Sequence, residues 1–171
     1  PGKEQKVKVE KIEVPKKVLK ELSSRSILYF TGQKRMARNV LRRVLGFYEE
    51  NPHGFAKILV SALKDNAIKA ATALKRGDID TFAYCINAYW RDKKLLDAGS
   101  TNEKVDDMID LVRPYSSAIT LTGAGGGGFM YILASSPSAG KRISKILQPN
   151  PSCVYSGLYS FAFDDVGIKF E

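Results

Sequence analysis

The sequence predicts an α+β domain, with helices packed on a sheet in a split β-α-β arrangement whose first crossover is enlarged by extra helices. Three observations predict it. A short apolar run at 26–30 precedes a long stretch of helical periodicity. Two more apolar runs, 117–121 and 129–134, flank a loop with five glycines in six positions. A helix and a strand-like tail then close the chain. The 171 residues are 44% hydrophobic and 26% charged, which excludes disorder and fits one domain, or one lobe of something larger. No apolar run approaches the ~20 residues that cross a bilayer.

The elements follow in order. Val7, Val9, Ile12 and Val14 lie among lysines and glutamates in a near-alternating pattern, read as an edge strand with charged gatekeepers. After Pro15 a short helix covers Lys16 to Ser24, and Ser26 to Phe30 is a buried strand. From Gln33 the positions Met36, Ala37, Val40, Leu41, Val44, Leu45 and Tyr48 form a helical stripe. Its start cap is assigned to Thr31. A second helix of this segment runs from about His53 to Arg76 on Phe55, Ile58, Leu59, Ala62, Leu63, Ala67 and Ala70. Gly77 stops it and Asp78 caps the next. That helix carries Phe82, Ile86, Tyr89 and Trp90 and ends near Asp97 to Gly99. Ser100 and Glu103 have capping-box spacing ahead of Val105, Met108, Ile109 and Val112. Pro114 closes this fourth helix behind the strand. Ser117 to Leu121 and Phe129 to Ala134 are strands, Ser136-Pro137-Ser138 opens a helix with Ile143, Ile146 and Leu147, and Cys153 to Phe170 is strand-like with a turn at Asp164-Asp165.

Charge is uneven. The net charge is +9, and residues 1–50 hold 13 basic against 6 acidic side chains. Such an end can meet nucleic acid, a membrane surface or a phosphorylated small molecule, or be a solvated arm. Cys85 and Cys153 are too few for a disulfide scaffold and point to a reducing, cytoplasmic setting. The Pro1-Gly2 start, without methionine or secretory leader, reads as that of a processed or excised chain.

The glycine loop, Gly123-Ala124-Gly125-Gly126-Gly127-Gly128, is the strongest chemical signal. Glycines reach positive φ and bring bare N–H groups close to a ligand. Gly123-x-Gly125-x-x-Gly128 satisfies the dinucleotide fingerprint formally. That fingerprint requires a helix next, whereas Phe129 to Leu133 is strand-like. No Gly-Lys-Ser/Thr follows, which excludes a Walker A loop. A plain hairpin turn needs one or two glycines, not five.

A Gly-Ala-Gly-Gly-Gly-Gly-Phe loop between two strands resembles the third motif of the GHMP kinases, which phosphorylate small hydroxyl compounds with ATP. Tyr29-Phe30-Thr31-Gly32-Gln33-Lys34-Arg35-Met36-Ala37 is similar to the Tyr-x-Thr-Gly-x-x-Arg-x-Ala segment of the fucokinase and heptose-phosphate kinase branch. Trp90-Arg91-Asp92-Lys93-Lys94-Leu95-Leu96-Asp97-Ala98-Gly99 is similar to the Trp-x-x-x-Lys-x-Leu-Asp-x-Gly of L-fucokinases. The resemblance runs from about Lys8 to Phe170. It implies the C-terminal lobe of a two-lobed sugar kinase: a ferredoxin-like lobe with helices on an antiparallel sheet, and residues 1–171 as one domain.

The resemblance implies further that Gly123, Ala124, Gly125, Gly126, Gly127 and Gly128 lie beside nucleotide and sugar. ATP with Mg2+ is implied as cofactor, held mainly by an N-terminal lobe. That lobe, ATP and a small sugar, with L-fucose first, are the implied partners. The family's phosphate-binding second motif has no counterpart here, and no catalytic residue is carried over. Thr31-Gly32 before a helix start is a second candidate anion site, and Arg35 is either a bidentate contact there or a surface arginine. Lys94, four residues after Trp90, either lays its stem along the indole or reaches phosphate or sugar at a pocket rim. Asp78, Asp80, Asp106, Asp107 and Asp110 read as caps or exposed charges. His53, the only histidine, makes a metal site improbable. Three alternatives stand beside the fucokinase reading. One is a heptose-phosphate kinase. Another is a lobe that only senses a nucleotide or sugar. The last is an RNA-binding module using the basic face of Arg35, Arg38, Arg42 and Arg43, although no strand has an RNP-type pattern. Neither a membrane nor nucleic acid is the expected partner.

Overall fold

A computed structural model describes residues 9–33, 37–50, 54–148 and 156–164. The described elements are α1 (Lys16–Arg25), β1 (Ser26–Phe30), α2 (Ala37–Glu50), α3 (Phe55–Arg76), α4 (Ile79–Leu96), a 3-10 turn (Ala98–Ser100), α5 (Glu103–Val112), a second 3-10 turn (Arg113–Tyr115), β2 (Ser116–Leu121), β3 (Phe129–Ala134), α6 (Pro137–Ile146) and β4 (Gly157–Tyr159). The strands form one sheet in the order β2-β3-β1-β4 with every neighbouring pair antiparallel. This is the split β-α-β topology, with α2 to α5 filling the first crossover.

Alternation along the strands divides the apolar side chains between two faces. Tyr29, Ile119, Leu121, Met130 and Ile132 pack against Trp90 of α4, Val105, Ile109 and Val112 of α5 and Ile143 of α6. Ala118 and Leu133 meet Val18 and Leu22 of α1 and Ile79 and Ala83 of α4. Ile109, Met130, Ile132, Leu133 and Ile143 are fully buried, and each such side chain contributes about 1.5–3 kcal/mol relative to exposure. Two polar side chains seal the β2 side. Asn87 Nδ2 donates to the Ser117 carbonyl at 2.8 Å, and Asn87 Oδ1 accepts from Ile119 N at 3.2 Å, a side-chain substitute for a neighbouring strand. Buried Arg25 donates to the Ala134 carbonyl at 2.8 Å and to Ser117 Oγ at 3.1 Å.

Helix boundaries follow local chemistry. Gly77 ends α3 in the left-handed conformation, φ 75°. Asp78 then caps α4 by accepting from Thr81 N at 2.9 Å, which holds its carboxyl below the usual range. Ser136 caps α6, with Pro137 in the first turn.

Several expectations are corrected. Residues 9–15 form no strand, and Val9 lies exposed. The rest of the expected edge strand lies outside the described residues. Thr31 does not cap α2, because Gly32 and Gln33 are not helical; its hydroxyl is engaged by the glycine loop instead. The cap of α5 is Asn102 rather than Ser100: Asn102 Oδ1 accepts from Val105 N at 3.1 Å, while Ser100 sits buried in the preceding 3-10 turn. On α3, Phe55 and Ile58 are exposed. That helix packs chiefly along α4, so its buried strip is narrow, with Ala56, Leu59 and Ala73. Of the strand-like tail, Gly157–Tyr159 is strand and residues 160–164 are not; Cys153 and residue 165 onward lie outside the described residues, as does His53.

Candidate functional site

The site is the loop from Thr122 to Gly128, which joins β2 to β3. Its base closes where Thr122 N donates to the Phe129 carbonyl at 2.8 Å. From there it is held on three sides. After β1, both the amide and the hydroxyl of Thr31 donate to the Gly128 carbonyl, each at 2.9 Å, and Gly128 N donates to the Gln33 carbonyl at 2.8 Å. Gln33 N donates in turn to Thr31 Oγ1 at 3.3 Å.

On the second side, the 3-10 turn after α4 supplies the Ser100 carbonyl, which accepts from Gly126 N at 2.5 Å. Asn102 Nδ2 donates to the Gly126 carbonyl at 3.0 Å. Asn102 therefore caps α5 with its oxygen and holds the loop with its nitrogen. The turn is built around buried Asp97, whose carboxylate accepts from Gly99 N at 3.0 Å and from Arg43 of α2 at 2.9 and 2.7 Å. That pairing raises the Arg43 pKa.

On the third side lies Lys93 of α4. Its ammonium donates to the Gly123 carbonyl at 2.5 Å and to the Leu121 carbonyl at 3.4 Å, and faces the rings of Tyr89 and Trp90 at 5.3 and 5.7 Å. Burial lowers its pKa to about 8.

These contacts explain the glycines. All five loop glycines have positive φ. At Gly125 a Cβ would lie 2.6 Å from the Ser100 carbonyl oxygen, and at Gly127 it would overlap the Gln33 carbonyl. Close approach of backbone to backbone requires glycine there. Gly125, Gly126 and Gly127 are buried, whereas Thr122 and Gly123 are exposed. The loop is thus less bare than the sequence suggested: the Gly126 and Gly128 amides are spent on Ser100 and Gln33. The exposed edge is Thr122 and Gly123, with half-buried Ala124 beside it.

The structure brings Thr31 and Gly32 to the foot of the loop with Gly123 to Gly128. Arg35 lies outside the described residues. Lys94 does not reach the loop. Its ammonium stacks over Trp90, 5.6 Å from the ring centroid, and it lines a separate cavity of about 370 Å³ with Asn87, Arg91, Arg113 and Ser117. Sequence reasoning missed Lys93, Asn102, Ser100 and Gln33. For Lys93 a signal existed, since it falls four residues after Tyr89 and seven after Ile86, on an otherwise apolar stripe. Among the described residues, no three His, Cys, Asp or Glu side chains gather into a cluster able to hold a metal ion, and no helix is long and apolar enough to cross a membrane. Chemically, the arrangement is a rigid backbone loop with a buried cation behind it, suited to an anion.

Comparison with known proteins places the chain in a family. Residues 70–150 match the family described as GHMP kinases C terminal. The chain is 35% identical over 130 residues to an L-fucokinase/L-fucose-1-P guanylyltransferase of Bacteroides fragilis, covering 73% of this chain and 13% of that protein. It is 29% identical over 157 residues to the D-glycero-alpha-D-manno-heptose 7-phosphate kinase of Campylobacter jejuni, covering 89% of this chain and 43% of that one. The chain thus spans less than half the length of either relative. Among solved structures, the L. major mevalonate kinase in complex with R-mevalonate superposes with a TM-score of 0.67 at 23% identity, covering 78% of this chain and 41% of that one; that likeness concerns the fold.

Proposed function

Since the chain carries a GHMP kinase C-terminal domain, we propose that it forms one lobe of an ATP-dependent sugar kinase acting on L-fucose at the anomeric hydroxyl. The observation that carries this reading is the glycine loop, whose exposed Thr122–Gly123 edge is braced by the buried ammonium of Lys93. The choice of fucose is supported by the Bacteroides relative and by the Leu96-Asp97-x-Gly99 segment.

In the reaction, the sugar hydroxyl oxygen attacks the γ-phosphorus of ATP, the bond to the bridging oxygen of ADP breaks, and the hydroxyl proton passes to a base. Such transfers depend mostly on positioning and charge stabilisation. The residues fit a phosphate. Lys93 has no carboxylate partner among the described residues, and the loop's curvature is fixed before any ligand arrives. Thr31, Ser100 and Asn102 keep it from collapsing. In this reading the base, and the ligands for a magnesium ion that would neutralise phosphate charge, come mainly from an N-terminal lobe, and the 171-residue chain alone is folded but inactive.

A second reading, a heptose-phosphate kinase, draws on the Campylobacter relative, which aligns over more of this chain. The RNA-binding alternative loses support, because Arg43 of its basic face is committed to Asp97. The test is ADP release by a longer protein that includes both lobes, with L-fucose, galactose and a heptose phosphate as acceptors. Selective turnover of L-fucose is expected. Selective turnover of the heptose phosphate would transfer the assignment to the second reading, and no turnover with any acceptor would remove the kinase proposal.

A further inference from the structure

Lys93 is only 9% exposed. The carboxylates nearest to it in sequence are engaged elsewhere: Asp92 with Arg91 at 2.8 Å and Asp97 with Arg43 at 2.7 Å. Among the described residues, the ammonium meets two carbonyls and two ring faces. A buried cation normally has an anion beside it, because removing it from water is costly and carbonyl dipoles compensate only in part. Among the described residues no carboxylate balances this ammonium. In a trans peptide, C=O and N–H point in opposite directions. Fixing the Gly123 carbonyl on Lys93 consequently turns the Ala124 N–H away from Lys93. That amide has no hydrogen-bond partner among the described residues.

We propose that Lys93 is the positioning residue of the glycine loop: it orients the Gly123–Ala124 peptide so that its amide meets a ligand phosphate, and its charge balances that phosphate through the peptide. The inference rests on the phosphate-binding reading of the loop. It adds a residue that the sequence motif, through Lys94, did not indicate. The charged or titratable groups around it are Tyr89, the Asp92–Arg91 pair and Lys94 on its own helix, and the Asp97–Arg43 pair beyond its end; β2 and the glycine loop carry none. With the free ammonium titrating near pH 8, an anion that favours the charged form raises this value. Above pH 8, binding then takes up a proton and weakens as pH rises.

The test uses the 171-residue chain with inorganic tripolyphosphate as the probe. Lysine-ε NMR follows the Lys93 titration, calorimetry gives affinity between pH 7 and 9, and thermal unfolding checks each variant. The expected result is a rise of about one unit or more in the Lys93 pKa on binding, and about tenfold weaker binding by Lys93→Met at pH 7. Lys93→Arg binds like wild type and lacks the wild-type excess loss of affinity above pH 8, a comparison that removes the probe's own titration. Lys141→Met, which deletes an exposed charge on α6, binds unchanged. Equal binding by wild type and Lys93→Met, or a Lys93 titration unmoved by the probe, would overturn the proposal while leaving the loop a phosphate site. No binding by wild type at millimolar probe would overturn both.

Discussion

The carbonyl of Ser100 accepts the amide of Gly126 at 2.5 Å and stands where a side chain on Gly125 would have to go, 2.6 Å from its Cβ. One backbone group thus holds one loop residue and forbids a side chain on its neighbour. The 3-10 turn after α4 and the glycine loop consequently behave as one unit, and the predictions below follow from that coupling.

Replacing Gly125 by alanine brings a Cβ against backbone that has no rotamer to escape into, at φ 89°. We expect Gly125→Ala to lose about 2–3 kcal/mol of stability and Gly123→Ala, whose Cβ meets nothing within 4 Å, to lose about 1 kcal/mol for its left-handed backbone alone. Urea unfolding of the two variants gives the comparison; equal losses would mean the turn does not press on the loop.

Asn102 separates its two tasks by atom. Asn102→Asp keeps the oxygen that caps α5 and loses the donor to the Gly126 carbonyl, so the helix is retained while the loop loosens. Asn102→Ala loses both and costs about 1 kcal/mol more through the missing cap. Amide hydrogen exchange distinguishes them: faster exchange at Gly126 in both variants, and at Val105 in the alanine variant alone.

Asp97 ties α2 to the turn. Asp97→Asn leaves the Arg43 guanidinium without its carboxylate and weakens the charge-assisted pair. The expected signature is faster hydrogen exchange in α2 together with the glycine loop, with α6 unaffected. Unchanged exchange in the loop would show that the 3-10 turn stands without Arg43.

Lys93 sets a pH dependence whose sign is opposite to that of a salt-bridged lysine. Its folded pKa, about 8, lies below the unfolded value of about 10.4. Between those values the unfolded chain binds the extra proton, so stability rises with pH across this window and the desolvation penalty is fully present below pH 8. Urea midpoints of wild type and Lys93→Met at pH 7, 8, 9 and 10 should show the wild type gaining relative to the variant as pH rises. A constant difference would contradict the buried, lowered lysine.

Much of this was legible in the sequence because it depends on spacing. The apolar stripes of α4 and α5, the stop at Gly77, the cap at Asp78 and the strand–loop–strand around Gly123 to Gly128 all follow from periodicity and single-residue chemistry. What was not legible depends on phase and on tertiary partners. Lys93 and Lys94 are adjacent and chemically equal, and a helix turn of about 100° alone sends one under the loop and the other over Trp90. Ser100 and Asn102 both suit a cap, and the choice fell to Asn102 because Ser100 was drawn into the turn that meets Gly126. Thr31 reads as a cap locally, yet its hydroxyl finds the Gly128 carbonyl, 97 residues away in sequence. Val7, Val9, Ile12 and Val14 nearly alternate, with one break, but of these the described Val9, Ile12 and Val14 join no strand.

The central claim is that the exposed edge of this loop receives a nucleotide phosphate. The most direct measurement is amide chemical-shift mapping of the isotopically labelled chain titrated with ATP. The account predicts saturable shifts centred on Thr122, Gly123, Ala124 and Gly125, with a matching response of the Lys93 side chain. Shifts confined to another surface, such as the Lys94 cavity beside Trp90, or no shifts in the loop at millimolar ATP, would contradict it.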